Sequence, residues 1–278
     1  MGPEVETATR NRLLTCLAEL QNREERALIG YFPVGDPDLE MSIAAMDAVI
    51  RGGADILEIG IPFSDPLADG PVIQAAGVRA LQAGFKVRHA FEAVRELRRR
   101  HPCVPLLIMT YVNPVLRWGL EEFSARARRA GADGLLVPDV PMEEAEPFER
   151  ACHEQGMALV SFAAPTAGAA RLRAIAKRAR GFVYAVSLTG VTGSGAGPHT
   201  HLTECVSELK TAGSPPVMIG FGVSGPDDVR TLADVGDGVV IGTAFVRKLQ
   251  EELSRSPDGA LGRLESLACE LKEALRIR

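Results

Sequence analysis

The chain has 278 residues, of which 46% are hydrophobic and 24% charged, proportions typical of a globular protein. Its net charge of −5 gives no reason to expect nucleic acid or a membrane as partner. The five cysteines are scattered and include no C-x-x-C pair, which predicts free thiols. The N-terminus is acidic and no apolar run is long enough to cross a membrane, so we expect a cytoplasmic protein.

Taken in chain order, the hydrophobic spacing predicts a helix over 7–23 and then eight strands that alternate with helices. The strands are predicted at 27–32, 56–61, 105–110, 134–137, 158–162, 182–186, 217–219 and 238–241. Helices are predicted to start near residues 36, 72, 87, 120, 143, 169, 202, 226 and 243, and a final helix covers 261–275.

A glycine and an aspartate precede three of the predicted strands, at Gly53 and Asp55, Gly131 and Asp133, and Gly236 and Asp237. Glycine suits the left-handed residue that ends a helix. Strands that alternate with helices indicate a parallel sheet, and eight such units favour an α/β fold of the (β/α)₈ TIM-barrel type. No linker divides the chain, so we expect one domain, with an N-terminal helix over 1–25 and the barrel over 26–278.

The second predicted strand is apolar except for one carboxylate, Glu58. An ionised carboxylate in a buried strand is costly unless it is paired, hydrated in a cleft or neutral. Two proline-bounded turns follow and carry Asp65 and Asp69. Because barrel active sites lie at the carboxyl ends of the strands, Glu58 and Asp69 are candidate acid–base groups. The alternatives are a structural ion pair for Glu58 and a turn or helix cap for Asp69, while Asp139 is either an acid or a turn residue.

Glycine-rich segments follow the sixth, seventh and eighth predicted strands, at 188–198, 221–225 and 242–243. Such segments present free backbone N–H groups where they open a helix, so they indicate a phosphorylated substrate. Tyrosines near the ends of strands one, three and six are either core residues or walls for a flat organic substrate: Tyr31, Tyr111 and Tyr184. His199 and His201 lack a third ligand nearby and are interpreted as loop residues, not as a metal site.

Five stretches match a known family: LEIGIPFSDPLADGP at 57–71, MTYVNP at 109–114, VPDVP at 137–141, SLTGVTG at 187–193 and GFGVS at 220–224. Over about residues 28–246 the sequence therefore resembles the tryptophan synthase alpha chain family, the indole-3-glycerol-phosphate lyases. The resemblance implies cleavage of indole-3-glycerol phosphate to indole and glyceraldehyde 3-phosphate, with Glu58 as the proton shuttle and Asp69 at the indole nitrogen.

The resemblance also implies the residues that bind the substrate. Those at the phosphate end are Thr192, Gly193, Phe221, Gly222, Gly242 and Thr243, and those around the indole are Tyr31, Met109, Tyr111, Leu136 and Tyr184. No metal or organic cofactor is implied. The implied partner is a beta chain, a pyridoxal-phosphate enzyme that receives indole in an α₂β₂ tetramer. Its contact rim would comprise the segments 62–69, 113–114 and Pro141.

Two stretches depart from the family pattern. After Gly193 the chain continues Ser-Gly-Ala-Gly-Pro-His where the family usually has Ala-Arg, and the loop after strand one reads Gly-Tyr-Phe-Pro. Alternatives are a stand-alone lyase that releases indole, a non-catalytic alpha chain that only activates a beta chain, and another phosphosugar barrel such as an isomerase. The intact pair of Glu58 and Asp69 disfavours the second, and the Pro-Phe-Ser-Asp-Pro loop disfavours the third.

Overall fold

The computed structural model describes residues 11–186, 198–220, 223 and 225–276. In this part of the chain, nine strands form one parallel sheet. They are β1 (Ala27–Pro33), β2 (Ile56–Gly60), β3 (Leu106–Met109), β4 (Gly134–Leu136), β5 (Ala158–Leu159), β6 (Ser161–Ala163), β7 (Val183–Val186), β8 (Val217–Gly220) and β9 (Gly238–Ile241). The strands are almost completely buried, as expected for a parallel sheet covered by helices.

The sheet closes into a barrel at the fifth predicted strand. Its order is β5-β4-β3-β2-β1-β9-β8-β7-β6, so its two outer strands are β5 and β6. Only Val160 separates these two in the chain, and the sheet edges are therefore joined covalently. β5 pairs with β4 and β6 pairs with β7, which divides the predicted strand 158–162 into two pieces. The predicted (β/α)₈ barrel is confirmed, with its fifth strand split between two neighbours.

Helices follow the strands and cover the barrel. In the described residues they are α1 (Arg12–Asn22), α2 (Leu39–Arg51), α3 (Pro71–Gln82), α4 (Val87–Arg100), α5 (Val112–Trp118), α6 (Leu120–Ala130), α7 (Glu146–Glu154), α8 (Ala169–Arg178), α9 (Pro198–Thr211), α10 (Pro226–Ala233), α11 (Thr243–Arg255) and α12 (Ala260–Ala274). A 3₁₀ turn, Met142–Glu144, precedes α7. Among the described residues, no helix is long and apolar enough to cross a membrane.

Three helix starts differ from the prediction by three or four residues, and α5 is an additional helix. α7 begins at Glu146, where 143 was predicted, and α9 begins at Pro198, where 202 was predicted, so His201 lies in a helix and not in a loop. α2 begins after Asp38, whose carboxylate accepts the Met41 N–H at 2.7 Å, and not at Asp36. α5 was not predicted because its Asn-Pro dipeptide is typical of a turn. The structure shows that Pro114 lies in the first turn of this short helix, where the missing N–H of proline costs no hydrogen bond.

Asp133, one of the three aspartates of the glycine–aspartate repeat, ties two strands together at the amino-terminal end of the barrel. Its backbone N–H donates to the Leu106 carbonyl at 2.8 Å, and its carboxylate accepts the Leu106 N–H at 3.0 Å. The carboxylate is fully buried and forms ion pairs with Arg98 at 2.6 Å and Arg12 at 3.1 Å. A buried charge of this kind is tolerated because cations and an N–H neutralise it.

The other two aspartates of the repeat make the same contacts. Asp55 accepts the Leu28 N–H at 2.7 Å and contacts Lys272 at 2.6 Å. Asp237 accepts the Val217 N–H at 2.8 Å and contacts Lys210 at the same distance. In each case the carboxylate holds the start of the preceding strand. The glycine–aspartate repeat noted in the sequence therefore stabilises the pairing of neighbouring strands.

We expect Asp133→Asn to lower the free energy of unfolding by about 3 kcal/mol, because it leaves buried Arg98 without its counter-charge. Urea denaturation followed by circular dichroism measures the change. Glu273→Gln, which breaks an exposed ion pair with Arg276, is the control and should change the free energy by less than about 0.5 kcal/mol. Equal effects of the two variants would contradict the stabilising role of Asp133.

Candidate active site

A cavity of about 970 Å³ opens among the loops that follow the strands, at the carboxyl end of the barrel. Predicted site residues on its wall are Tyr31, Glu58, Asp69, Met109, Tyr184, Gly242 and Thr243. The structure thus brings together residues from β1, β2, β3, β7 and the loops after β2 and β9. A concave, mostly apolar site with a few polar groups is the usual form of a small-molecule site.

Glu58 lies on the inner face of β2, in register with Tyr31 of β1 and Leu107 of β3. Its side chain is fully buried. Neither carboxylate oxygen has a hydrogen-bond partner among the described residues. Burial raises the pKa of Glu58 from 4.5 to about 8, because the ionised form would lose its hydration without compensation. At neutral pH Glu58 is therefore a neutral acid that can donate a proton.

Asp69 lies in the loop between β2 and α3 and is half-buried. Burial raises its pKa to about 6, and a hydrogen bond from the Tyr111 hydroxyl counteracts that rise. The same hydroxyl accepts the Ala68 N–H at 3.1 Å, which fixes the loop against the start of α5. Asp69 remains mainly ionised at pH 7, because its pKa stays below that value. Glu58 and Asp69 therefore differ in charge at this pH.

The predicted tyrosines pack over glycines that have no room for a side chain. A Cβ on Gly60 would collide with the Tyr31 hydroxyl, and one on Gly242 would lie 2.8 Å from the Tyr31 ring. A Cβ on Gly220 would likewise collide with the Tyr184 hydroxyl. The glycines allow both rings to lie flat inside the barrel mouth.

Two phenylalanines that the sequence analysis did not select complete the aromatic walls. The Phe162 ring centroid lies 5.1 Å from that of Tyr184, and the Phe63 ring stacks on Tyr111 at 5.3 Å. Phe162 also lines the cavity. Phe63 stands in the LEIGIPFSDPLADGP motif, so its position in that loop could have signalled a role.

The other predicted residues are placed as follows. Leu136 is fully buried, in register with Met109. Asp139 accepts the Val112 N–H at 2.9 Å at the start of α5, which favours the structural role over the acid. Thr192, Gly193, Phe221, Gly222 and His199 lie outside the residues whose side chains the structure describes. No group of three potential metal ligands occurs among the described residues.

Asp36 is a site-positioning residue that the sequence analysis missed. Its buried carboxylate makes a two-pronged ion pair with Arg79 of α3 at 2.7 and 2.9 Å, and it accepts a hydrogen bond from Gln250 of α11 at 3.3 Å. It therefore links the loop after β1 to the helices that follow Asp69 and Gly242. The Asp-Pro dipeptide suggested only a helix start, and no local pattern marks its partners.

Comparisons with known proteins agree with this geometry. The family model described as the tryptophan synthase alpha chain matches residues 17–276. The tryptophan synthase alpha chain of Synechococcus elongatus is 44% identical over 238 residues, covering 85% of this chain and 89% of that protein. That of Methanosarcina acetivorans is 44% identical over 258 residues, covering 92% and 91%.

Solved structures are similar over the same extent. The tryptophan synthase subunit alpha of Legionella pneumophila superimposes with a TM-score of 0.87 at 32% identity, covering 95% of this chain and 98% of that one. A chain of the tryptophan synthase of M. tuberculosis gives a TM-score of 0.85 at 35% identity, covering 96% and 99%.

Glu58→Gln should stabilise the protein increasingly as the pH rises. Between pH 4.5 and about 8 the unfolded chain releases the Glu58 proton while the folded chain keeps it, so the wild type loses stability across this window. Glutamine does not titrate, and the variant should gain up to about 4 kcal/mol on the wild type between pH 4.5 and pH 8.5. Urea denaturation at both pH values measures the gain. The exposed variant Glu270→Gln is the control, and a pH-independent difference for Glu58→Gln would refute the buried neutral acid.

Proposed function

Because the chain belongs to the tryptophan synthase alpha chain family, whose members cleave indole-3-glycerol phosphate in tryptophan biosynthesis, we propose that Glu58 and Asp69 perform this cleavage here. The chain acts as a lyase, and the products we propose are indole and glyceraldehyde 3-phosphate. The observation that carries this assignment is the buried Glu58 carboxyl, which has no hydrogen-bond partner in the described part of the chain. It shares a cavity with Asp69 and with the start of α11.

The reaction requires one proton to enter and one to leave. Indole C3 must gain a proton, the adjacent side-chain hydroxyl must lose one, and the carbon–carbon bond between them must break. Glu58 begins as the neutral acid and protonates C3. The resulting carboxylate then takes the hydroxyl proton as the bond breaks and a carbonyl forms, so Glu58 ends the cycle protonated. A pKa near neutrality suits a group that acts first as acid and then as base.

Asp69 supports the other side of the indole ring. Protonation at C3 places positive charge on the indole nitrogen, and an ionised carboxylate that accepts the ring N–H stabilises that charge. The hydrogen bond from Tyr111 keeps Asp69 oriented and ionised. Tyr31, Met109 and Tyr184 form the nearby apolar wall of the cavity and are the proposed indole contacts, with Leu136 in the layer behind them.

The phosphate end of the substrate is proposed to bind at the start of α11. Gly242 is the N-cap of this helix and has no side-chain cap, so the first backbone N–H groups remain available to an anion. Thr243 adds a hydroxyl beside them. The family resemblance adds Thr192, Gly193, Phe221 and Gly222 to this end of the site. Binding energy from the phosphate holds the scissile bond next to Glu58.

A beta chain is the proposed partner, in an α₂β₂ assembly. Two large apolar side chains are exposed at the carboxyl end of the barrel, Leu67 at 90% and Leu116 at 57%. Leu67 stands two residues before Asp69, so a chain that covers it would also hold the Asp69 loop in place. One solved structure that this chain resembles is tryptophan synthase from M. tuberculosis. We also propose a cytoplasmic location, where the cysteines would stay reduced.

Purified protein should release indole from indole-3-glycerol phosphate, and Glu58→Gln should lower kcat by about 10²- to 10⁴-fold because it removes the proton shuttle. Indole extraction and a coupled assay for glyceraldehyde 3-phosphate measure the products, with and without a beta chain. Glu270→Gln is the control and should match the wild type. Near-normal turnover by a folded Glu58→Gln variant would refute the role of Glu58 in proton transfer. A wild type that is inactive both with and without a beta chain would refute the proposed lyase activity.

The value of kcat/KM should fall as the pH rises above about 8. Catalysis starts from protonated Glu58, whose pKa is about 8, and from ionised Asp69, whose pKa is about 6. The substrate phosphate also titrates near pH 6, so the alkaline limb is the one that reports Glu58. Initial rates between pH 5 and pH 10 measure both limbs. A rate that rises through pH 8 would show that the ionised form of Glu58 starts the reaction.

A further inference from the structure

Three arginines line the described part of the cavity, and two of them are already paired. Arg171 makes a two-pronged contact with Glu143 at 2.8 and 3.0 Å. Arg178 donates to both oxygens of Glu149 at 3.0 Å. Arg247 makes no hydrogen bond or ion pair with any described residue. Arg247 is exposed, and no described carboxylate on the cavity wall pairs with its positive charge.

The position of Arg247 on α11 directs it toward the start of that helix. Thr243 is the first residue of α11, and Arg247 follows four residues later, on the same face. Side chains on a helix tilt toward its N-terminus, and a long side chain covers the turn before its own Cα. The guanidinium is therefore within reach of the level of Gly242 and Thr243, which line the same cavity.

The neighbouring charges do not neutralise Arg247. Lys248 pairs with Glu252, which in turn contacts Arg263. Glu251 stands one turn further along α11 and forms no ion pair with Arg247. The acidic groups on the cavity wall are Glu58, Asp69 and Glu149, of which Glu58 is neutral at pH 7 and Glu149 is paired. Asp69 is ionised, but it is hydrogen-bonded to Tyr111 and forms no ion pair with Arg247. An anion at the start of α11 would therefore meet a cation that no described carboxylate already occupies.

We propose that Arg247 binds the substrate phosphate and selects phosphorylated over unphosphorylated substrates. This inference rests on the proposed lyase function. A phosphate monoester carries about 1.5 to 2 negative charges at pH 7, and backbone N–H groups supply only partial positive charges. The guanidinium supplies a full counter-charge and can bond two phosphate oxygens at once. Because Arg247 stands on α11 and not on β2, which carries Glu58, it contributes to binding and not to proton transfer.

The test compares Arg247→Gln with Arg247→Lys and with Arg255→Gln. Arg255 is an exposed arginine in the last turn of α11, about 12 Å along the helix axis from Arg247. For indole-3-glycerol phosphate, Arg247→Gln should raise KM by about five- to tenfold with kcat within about twofold, as for loss of one charge-assisted contact. The inhibition constant of glycerol 3-phosphate should rise by the same factor. Lysine should restore most of the affinity, and Arg255→Gln should match the wild type.

A substrate without phosphate separates charge recognition from a general change in the site. The KM for unphosphorylated indole-3-glycerol should be the same for the wild type and Arg247→Gln. If the wild type is active and Arg247→Gln has the same KM for the phosphorylated substrate, the role of Arg247 is overturned while the proposed lyase function stands. Equal KM increases for both substrates would also overturn the role of Arg247. An inactive wild type would instead overturn the proposed lyase function.

Discussion

The Glu58 carboxyl is held inside the barrel with both oxygens removed from water and from every described protein donor. Such burial disfavours the ionised form and keeps a proton on the group at neutral pH. The cost is borne by the folded state, and it is offset by contacts elsewhere in the barrel. The site thereby holds an acid whose pKa, about 8, is close to neutral pH, as the proposed proton shuttle requires.

The carboxyl groups at the two ends of the barrel differ in their partners. At the amino-terminal end, Asp55, Asp133 and Asp237 each meet a cation and a backbone N–H, so these carboxylates fasten neighbouring strands. At the carboxyl end, Glu58 has no hydrogen-bond partner among the described residues, and Asp69 has a tyrosine hydroxyl. Stabilising contacts and reactive groups are thereby separated along the strands, which is the usual division in barrels of this kind.

The parts of the proposed site are held at fixed relative positions by contacts between distant segments. Asp36 joins the loop after β1 to α3 and α11, and so relates the tyrosine wall to both the Asp69 loop and the start of α11. Glycines in β2, β8 and the loop after β9 let the two inner tyrosines lie flat against the barrel. The proton transfer proposed at one end of the cavity and the phosphate binding proposed at the other would then act on one oriented substrate.

The sequence alone determined the order of strands and helices, the barrel and the family, because hydrophobic periodicity and motifs are local properties of the chain. It also identified Glu58 as an anomalous carboxylate in an apolar strand and found the glycine–aspartate repeat. Only the tertiary structure showed that the fifth strand divides at Val160, that Glu58 is completely buried, and that Asp36 meets Arg79 and Gln250. These features depend on barrel closure, which brings together residues far apart in sequence whose pairing no local pattern encodes.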